Sequence, residues 1–151
     1  MYTDGAATGN PGPGGYGVVL ICGKHRKELS GGYRRTTNNR MELMAVIAGL
    51  EALKTEGSIV TVMSDSKYVV DAIEKGWLRK WLHKGFKNTR NTDLWIRLLK
   101  VLRHHKVKFQ WIKGHSGIPE NERCDQLAVK AASGLNLPVD TGYEVEKNGL
   151  L

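Results

Sequence analysis

Four carboxylates, Asp4, Glu42, Asp65 and Asp125, occupy comparable places along this chain. Asp4 and Asp65 each close a β-rich run, Tyr2-Thr3-Asp4 and Ser58 to Ser64, at the carboxyl end where open α/β sheets put their ligands. Glu42 and Asp125 each stand at the border of an apolar stripe on a predicted helix. Taken singly, each acid has an ordinary role: a strand-end turn residue, a helix cap, a surface charge. Brought together, they raise one another's pKa and destabilise the fold unless cations join them. Hard oxygen donors favour Mg²⁺ or Mn²⁺. Two such ions about 3.5–4 Å apart can clamp a phosphodiester for in-line attack by water.

The elements that must position these acids are readable from periodicity. Thr36-Thr37-Asn38-Asn39-Arg40-Met41-Glu42 opens a helix running to about Lys54, with Leu43, Val46, Ile47, Leu50 and Leu53 on one buried face. Glu42 falls in its first turn, at the edge of that face. Gly5 to Gly17 holds six glycines and two prolines and reads as a turn. Gly12 to Gly17 matches G-x-G-x-x-G in form only, because Tyr16 to Cys22 is strand-like where the dinucleotide fingerprint must open a helix. No Gly-Lys-Ser/Thr follows, which excludes a P-loop. Arg26 to Tyr33 reads as a returning strand, Ser66 to Lys75 as a short helix, and Thr92 onward as another. Val107 to Ile112 alternates as a strand, Lys113 to Gly117 is a turn, and Pro119 suits the first turn of a last helix. The resulting order, βββ-α-β-α-α-α-β-α, predicts an α/β fold: a five-stranded mixed sheet, three antiparallel strands then parallel additions, flanked by helices. Residues 1–151 read as a single domain, with 134–151 a C-terminal tail.

Charge is unevenly spread. From Lys75 to Lys113 there are 12 Lys/Arg and one acid, Asp93, so the whole positive excess of the chain, +8, lies there. Trp77, Trp81, Phe86, Trp95 and Trp111 fall in the same stretch. Basic residues interleaved with aromatics are the footprint of nucleic-acid binding, which is the reading for Trp77 to Lys87. Trp95 and Trp111 read instead as core. The start carries no basic-then-apolar leader and no run spans a bilayer, which points to a cytoplasmic location without membrane association. Cys22 and Cys124 sit in apolar sequence, are expected reduced, and lack metal-ligand spacing.

Five stretches in register carry a resemblance. Tyr2-Thr3-Asp4-Gly5, Gly9 to Gly17, Thr36 to Leu43, Ser64-Asp65-Ser66, and Lys113-Gly114-His115 through Asn121 to Asp125 are similar to bacterial type 1 ribonuclease H (ribonuclease HI). The resemblance covers nearly the whole chain. It implies that Asp4, Glu42, Asp65 and Asp125 are metal-binding catalytic acids for two Mg²⁺ ions, with Mn²⁺ as a substitute. It implies that His115 is a mobile histidine assisting proton transfer or product release. Arg35, Thr37 and Asn38 match a pocket for a DNA-strand phosphate, and Asn10 and Asn39 match groove contacts. Trp77, Trp81 and the nearby Lys80, Lys84 and Lys87 match a basic protrusion that cradles the DNA strand. The implied activity is internal cleavage of the RNA strand of RNA–DNA hybrids by a monomer, leaving 5′-phosphate and 3′-hydroxyl ends.

Three departures stand out. Only Met1 to Thr3 precede Asp4, where the family has several more residues completing the first strand. Lys67 stands where relatives often carry a glutamine contacting the hybrid. The loop after Phe86 is short, and its aromatic is Phe rather than Trp. Two rival readings remain at this point: a hybrid-binding module without catalysis, and a DNA-processing nuclease or integrase on the same fold.

Overall fold

The computed structural model describes residues 1–147, with side chains through residue 145; residues 148–151 of the expected tail lie outside the described residues. Five strands, β1 (Tyr2–Ala7), β2 (Gly12–Cys22), β3 (His25–Thr36), β4 (Ile59–Ser64) and β5 (Lys106–Trp111), form one sheet in the order β3-β2-β1-β4-β5. The pairings β1–β2 and β2–β3 are antiparallel, and β1–β4 and β4–β5 are parallel. The predicted architecture is the one observed. The helices are α1 (Asn38–Glu51), α2 (Lys67–Glu74), α3 (Trp77–His83), α4 (Thr92–Leu102), α5 (Pro119–Ala132) and α6 (Thr141–Lys147).

α1 is buried nearly all round rather than along one stripe, from Arg40 through Ile47 and again at Gly49 and Leu50. It lies against β1, β2 and β3 and is covered by α4 and α2. Its Leu43, Ile47 and Leu50 are fully sealed, and each contributes about 1.5–3 kcal/mol of hydrophobic stabilisation. Val62, Val69, Leu78, Trp95 and Leu98 complete that core. Helix α5 packs on the other face of the sheet. Side chains alternate along a strand, and an added Cβ at Gly5 would strike α1 while one at Gly17, the ladder partner of Asp4, would strike α5.

Several sequence expectations need correction. The strand after the glycine-rich turn starts at Gly12, not Tyr16, because Gly15 and Gly17 are where α5 rests: a Cβ there would lie 2.4 Å from the Ala128 carbonyl oxygen or 2.3 Å from that of Cys124. β1 extends to Ala7, and its entry is secured by Met1, whose amine donates to the Thr61 carbonyl (2.8 Å) and whose carbonyl accepts from Met63 N–H (2.8 Å). Cys22 is exposed beside the hairpin tip rather than in apolar surroundings, whereas Cys124 is buried. Trp111 is 43% exposed and is not core; Trp95 is.

The described part of the segment after Gly134 docks on the chain rather than forming a tail. Arg34 N–H donates to the Pro138 carbonyl (2.9 Å), and the Arg34 guanidinium forks onto Glu144 with both bonds at 3.0 Å. Buried Asp140 accepts from Thr36 Oγ1 (2.6 Å) and from Arg40 Nε and Nη2 (2.8 and 2.9 Å). Sequence spacing gives no hint of this, since the partners stand about a hundred residues apart. Among the described residues no helix is long and apolar enough to cross a membrane.

Candidate active site

Asp4 lies inside β1, not at its end, but its position is still a junction. The parallel pairing of β1 with β4 stops at Thr3–Ser64, so Asp4 and Asp65 are the first residues past the last shared rung. Glu42 reaches the same point because α1 crosses β1 at backbone contact. A Cβ on Gly5 would fall 2.4 Å from Glu42 N and 2.3 Å from the Met41 carbonyl carbon. Glycine is required there by the close approach.

The cap explanation for Glu42 fails. Thr37 is the N-cap, its Oγ1 accepting from Arg40 N–H at 3.3 Å, and Glu42 stands in the second turn, where no free helix N–H awaits it. Its carboxylate instead meets two others. One oxygen from each of Asp4, Glu42 and Asp65 lies within 4.8 Å of the other two. Glu42 is 9% exposed, and among the described residues its buried Oε2 has no hydrogen-bond partner. Burial first, then the charges of Asp65 and Asp125, push Asp4 up to about 7, against opposing bonds from Glu42 and Gly5 N–H. Burial and the Asp4 charge hold Glu42 well above the usual carboxylate range. Three hard oxygen donors, one of them orphaned and all crowded by like charge, suit a divalent cation.

The fourth acid is near but apart. Asp125 follows Cys124, whose carbonyl rests on Gly17 opposite Asp4, so α5 brings it close enough to raise the Asp4 pKa. It is not in the mutually close trio. His115 stands exposed with φ +53 in the turn after β5, beside Gly114, where a Cβ would meet the Asp65 carboxylate. Ser116 Oγ donates to the Lys113 carbonyl (2.6 Å) and tightens that turn.

The nucleic-acid candidates divide into two groups. Asn10, Thr37, Asn38 and Asn39 line a cleft of about 660 Å³ at the start of α1, with exposed Arg35 near the end of β3 just before it. Asn10 Oδ1 accepts from Asn38 N–H (2.9 Å), tying the β1–β2 turn to the helix. Arg90, Asn91 and Tyr143 form the far wall and were missed in the sequence. Nothing in the sequence flags them: Asn91 joins Phe86 and Asn88 at positive φ in the folded loop, and Tyr143 lies in the segment read as a tail. On α3 and its loop, Lys80, Lys84 and Lys87 are exposed, and Trp77 is 38% exposed under Lys75 Nζ (5.3 Å). Trp81 is half-buried and leans on Trp95 at 5.4 Å, so most of its ring anchors the protrusion. Lys67 opens α2 with its Nζ 5.0 Å from the Trp111 ring.

Solved structures define the class first. The chain superimposes on LC9-RNase H1, described as a type 1 RNase H, with a TM-score of 0.75 and 32% identity over 87% of this chain and 70% of that one. LC11-RNase H1, solved with an RNA/DNA hybrid, gives 0.64 and 28% over 87% and 94%. The RNase H family model matches residues 1–133, and the Ribonuclease H of Desulforamulus reducens is 62% identical over 93% of this chain and 91% of its own length. This chain belongs to the RNase H family.

Proposed function

We propose that this chain is an endonuclease that hydrolyses the RNA strand of RNA–DNA hybrids, leaving 5′-phosphate and 3′-hydroxyl ends. The observation that carries the reading is the convergence of Asp4, Glu42 and Asp65 around the unpartnered Glu42 Oε2. Family membership and the hybrid bound to LC11-RNase H1 support the substrate class. Asp4, Glu42, Asp65 and Asp125 would hold two Mg²⁺ ions, for which Mn²⁺ would substitute. Held there, such ions would supply charge neutralisation on the phosphodiester and would acidify a water for attack at neutral pH.

The protein's own groups do the rest. The acids aim the attacking water in line with the bond to the 3′-oxygen; a P–O bond forms to the water as it gives up a proton, the P–O3′ bond breaks, and the 3′-oxygen takes up a proton to leave as a hydroxyl. His115, exposed on its turn beside Asp65, carries a proton to or from that exchange. Arg35, Thr37, Asn38, Asn10 and Asn39 grip the DNA strand and groove, and Trp77 with Lys80, Lys84 and Lys87 cradles the DNA beyond. Lys67 contacts the RNA strand through charge rather than an amide. Strand choice follows from the 2′-hydroxyl on one strand and the more deformable backbone of the other. The reading includes a monomeric, cytoplasmic enzyme, and sedimentation of the purified chain tests its monomeric part.

Labelled hybrid, duplex DNA and duplex RNA, each given Mg²⁺, test the proposal. Cleavage confined to the RNA of the hybrid is expected. Cleavage of duplex DNA would favour the integrase-like rival, and binding without cleavage would favour the module without catalysis.

A further inference from the structure

Trp111 is the last residue of β5, paired with Ser64 on the last rung that β5 offers β4. Among the described residues, Asp65 has no register partner on β1 or β5, because both pairings end at Ser64. Its carbonyl accepts instead from the Trp111 indole Nε1–H, at 3.1 Å. The ring is 43% exposed, so burial explains little of why a large aromatic stands here. What the indole offers at that place is a donor at the end of a rigid arm.

Two further contacts frame the same residue. Gly114, three residues on, passes so close to Asp65 that a Cβ there would lie 2.8 Å from Oδ2. Lys67 Nζ lies 5.0 Å from the ring centroid, over the indole. Asp65 is thus held at its carbonyl by a side chain, and its carboxylate fills space beside Gly114 that a Cβ there would take. A metal ligand needs placement to within about 0.5 Å, and partners behind the ligand supply it.

We infer that Trp111 is a positioning residue: its indole N–H replaces the missing sheet rung and sets the Asp65 carboxylate for a divalent ion. The inference rests on the reading of Asp4, Glu42 and Asp65 as a metal site. Trp111→Phe keeps a ring beneath Lys67 and removes only the donor, while Trp111→Leu removes both.

Mn²⁺ binding to the hybrid-free protein, followed by the paramagnetic resonance of free ion, is the direct test. Trp111→Phe is expected to weaken binding about tenfold and to raise the Mg²⁺ concentration for half-maximal cleavage in step. Its KM for hybrid at saturating Mg²⁺ is expected to stay within about twofold of the parent, with an unchanged melting temperature. Parent-like Mn²⁺ affinity in Trp111→Phe overturns the inference. So does a raised KM confined to Trp111→Leu with Mn²⁺ affinity intact, which would make the ring a substrate contact instead. If the parent chain binds no Mn²⁺, whereas hybrid is still cleaved, the metal-site reading fails and takes this inference with it.

Discussion

Arg40 and Glu42 stand two residues apart on α1, both nearly sealed from solvent at 1% and 9% exposure, and their surroundings are opposite. Every side of the Arg40 guanidinium is answered. Asp93 accepts at 2.8 and 2.7 Å, Asp140 at 2.8 and 2.9 Å, and Asn91 Oδ1 at 3.3 Å. Burial works against its charge, but the two aspartates outweigh that and hold it above its ordinary range. Glu42 faces Asp4 and Asp65 with no cation beside it among the described residues, and its Oε2 is an orphan oxygen. A buried charge that the fold compensates serves structure, while one it leaves uncompensated is waiting for a partner from outside. The contrast separates scaffold from site one half-turn apart on a single helix.

Removing a member of the uncompensated trio should cost activity and not the fold. Asp65→Asn is expected to lower kcat on the order of 10³-fold, with hybrid affinity by filter binding unchanged. Equal cleavage by parent and variant would remove Asp65 from the site. Arg40→Ala strikes the compensated side and leaves Asp140 buried without its cation; denaturant melts should show a loss of about 3 kcal/mol. A change near zero would mean that the network is incidental.

Smaller effects sharpen the same line. Glu42→Gln removes repulsion inside the trio, so the metal-free protein should gain about 1 kcal/mol and lose its stabilisation by Mg²⁺. Because Asp4 titrates at about 7 in the folded protein against an ordinary 3.8, the folded state binds the extra proton. Metal-free stability is therefore full at low pH on this account and declines as pH rises from about 4 to about 7. Mg²⁺ should then raise the melting temperature more near pH 8 than near pH 5, and a pH-independent increment would contradict the crowding. Least of all, Lys80→Ala, Lys84→Ala and Lys87→Ala combined should raise KM about threefold and flatten its salt dependence while sparing kcat.

Element order and sheet type were legible because periodicity and turn residues act locally, as with Val107 to Ile112 and the helix from Thr92. Of the four acids, Asp4, Glu42 and Asp65 come within 4.8 Å of one another, while Asp125, carried on α5 over the Asp4 rung, is not in that trio. What could not be read depends on contacts far along the chain. Asp140 is ordinary until Arg40 is folded beneath it. Trp111 alternates like a core residue, but its strand is an edge strand whose end opens to solvent beside Asp65. The turn of Glu42 hinged on which polar residue caps α1, and four adjacent candidates left that undecided.

The bare patch beneath α5 has a mechanical consequence. Because glycines rather than side chains occupy the contact at Gly15, Gly17 and Gly32, main chain meets main chain there. The gap between that helix and the strands is set by the thickness of two backbones, a length no conservative exchange elsewhere in the core can alter. Asp125 rides on that helix, so its height above Asp4 is fixed by a spacer made of nothing, and drift in the surrounding apolar residues leaves the spacing untouched.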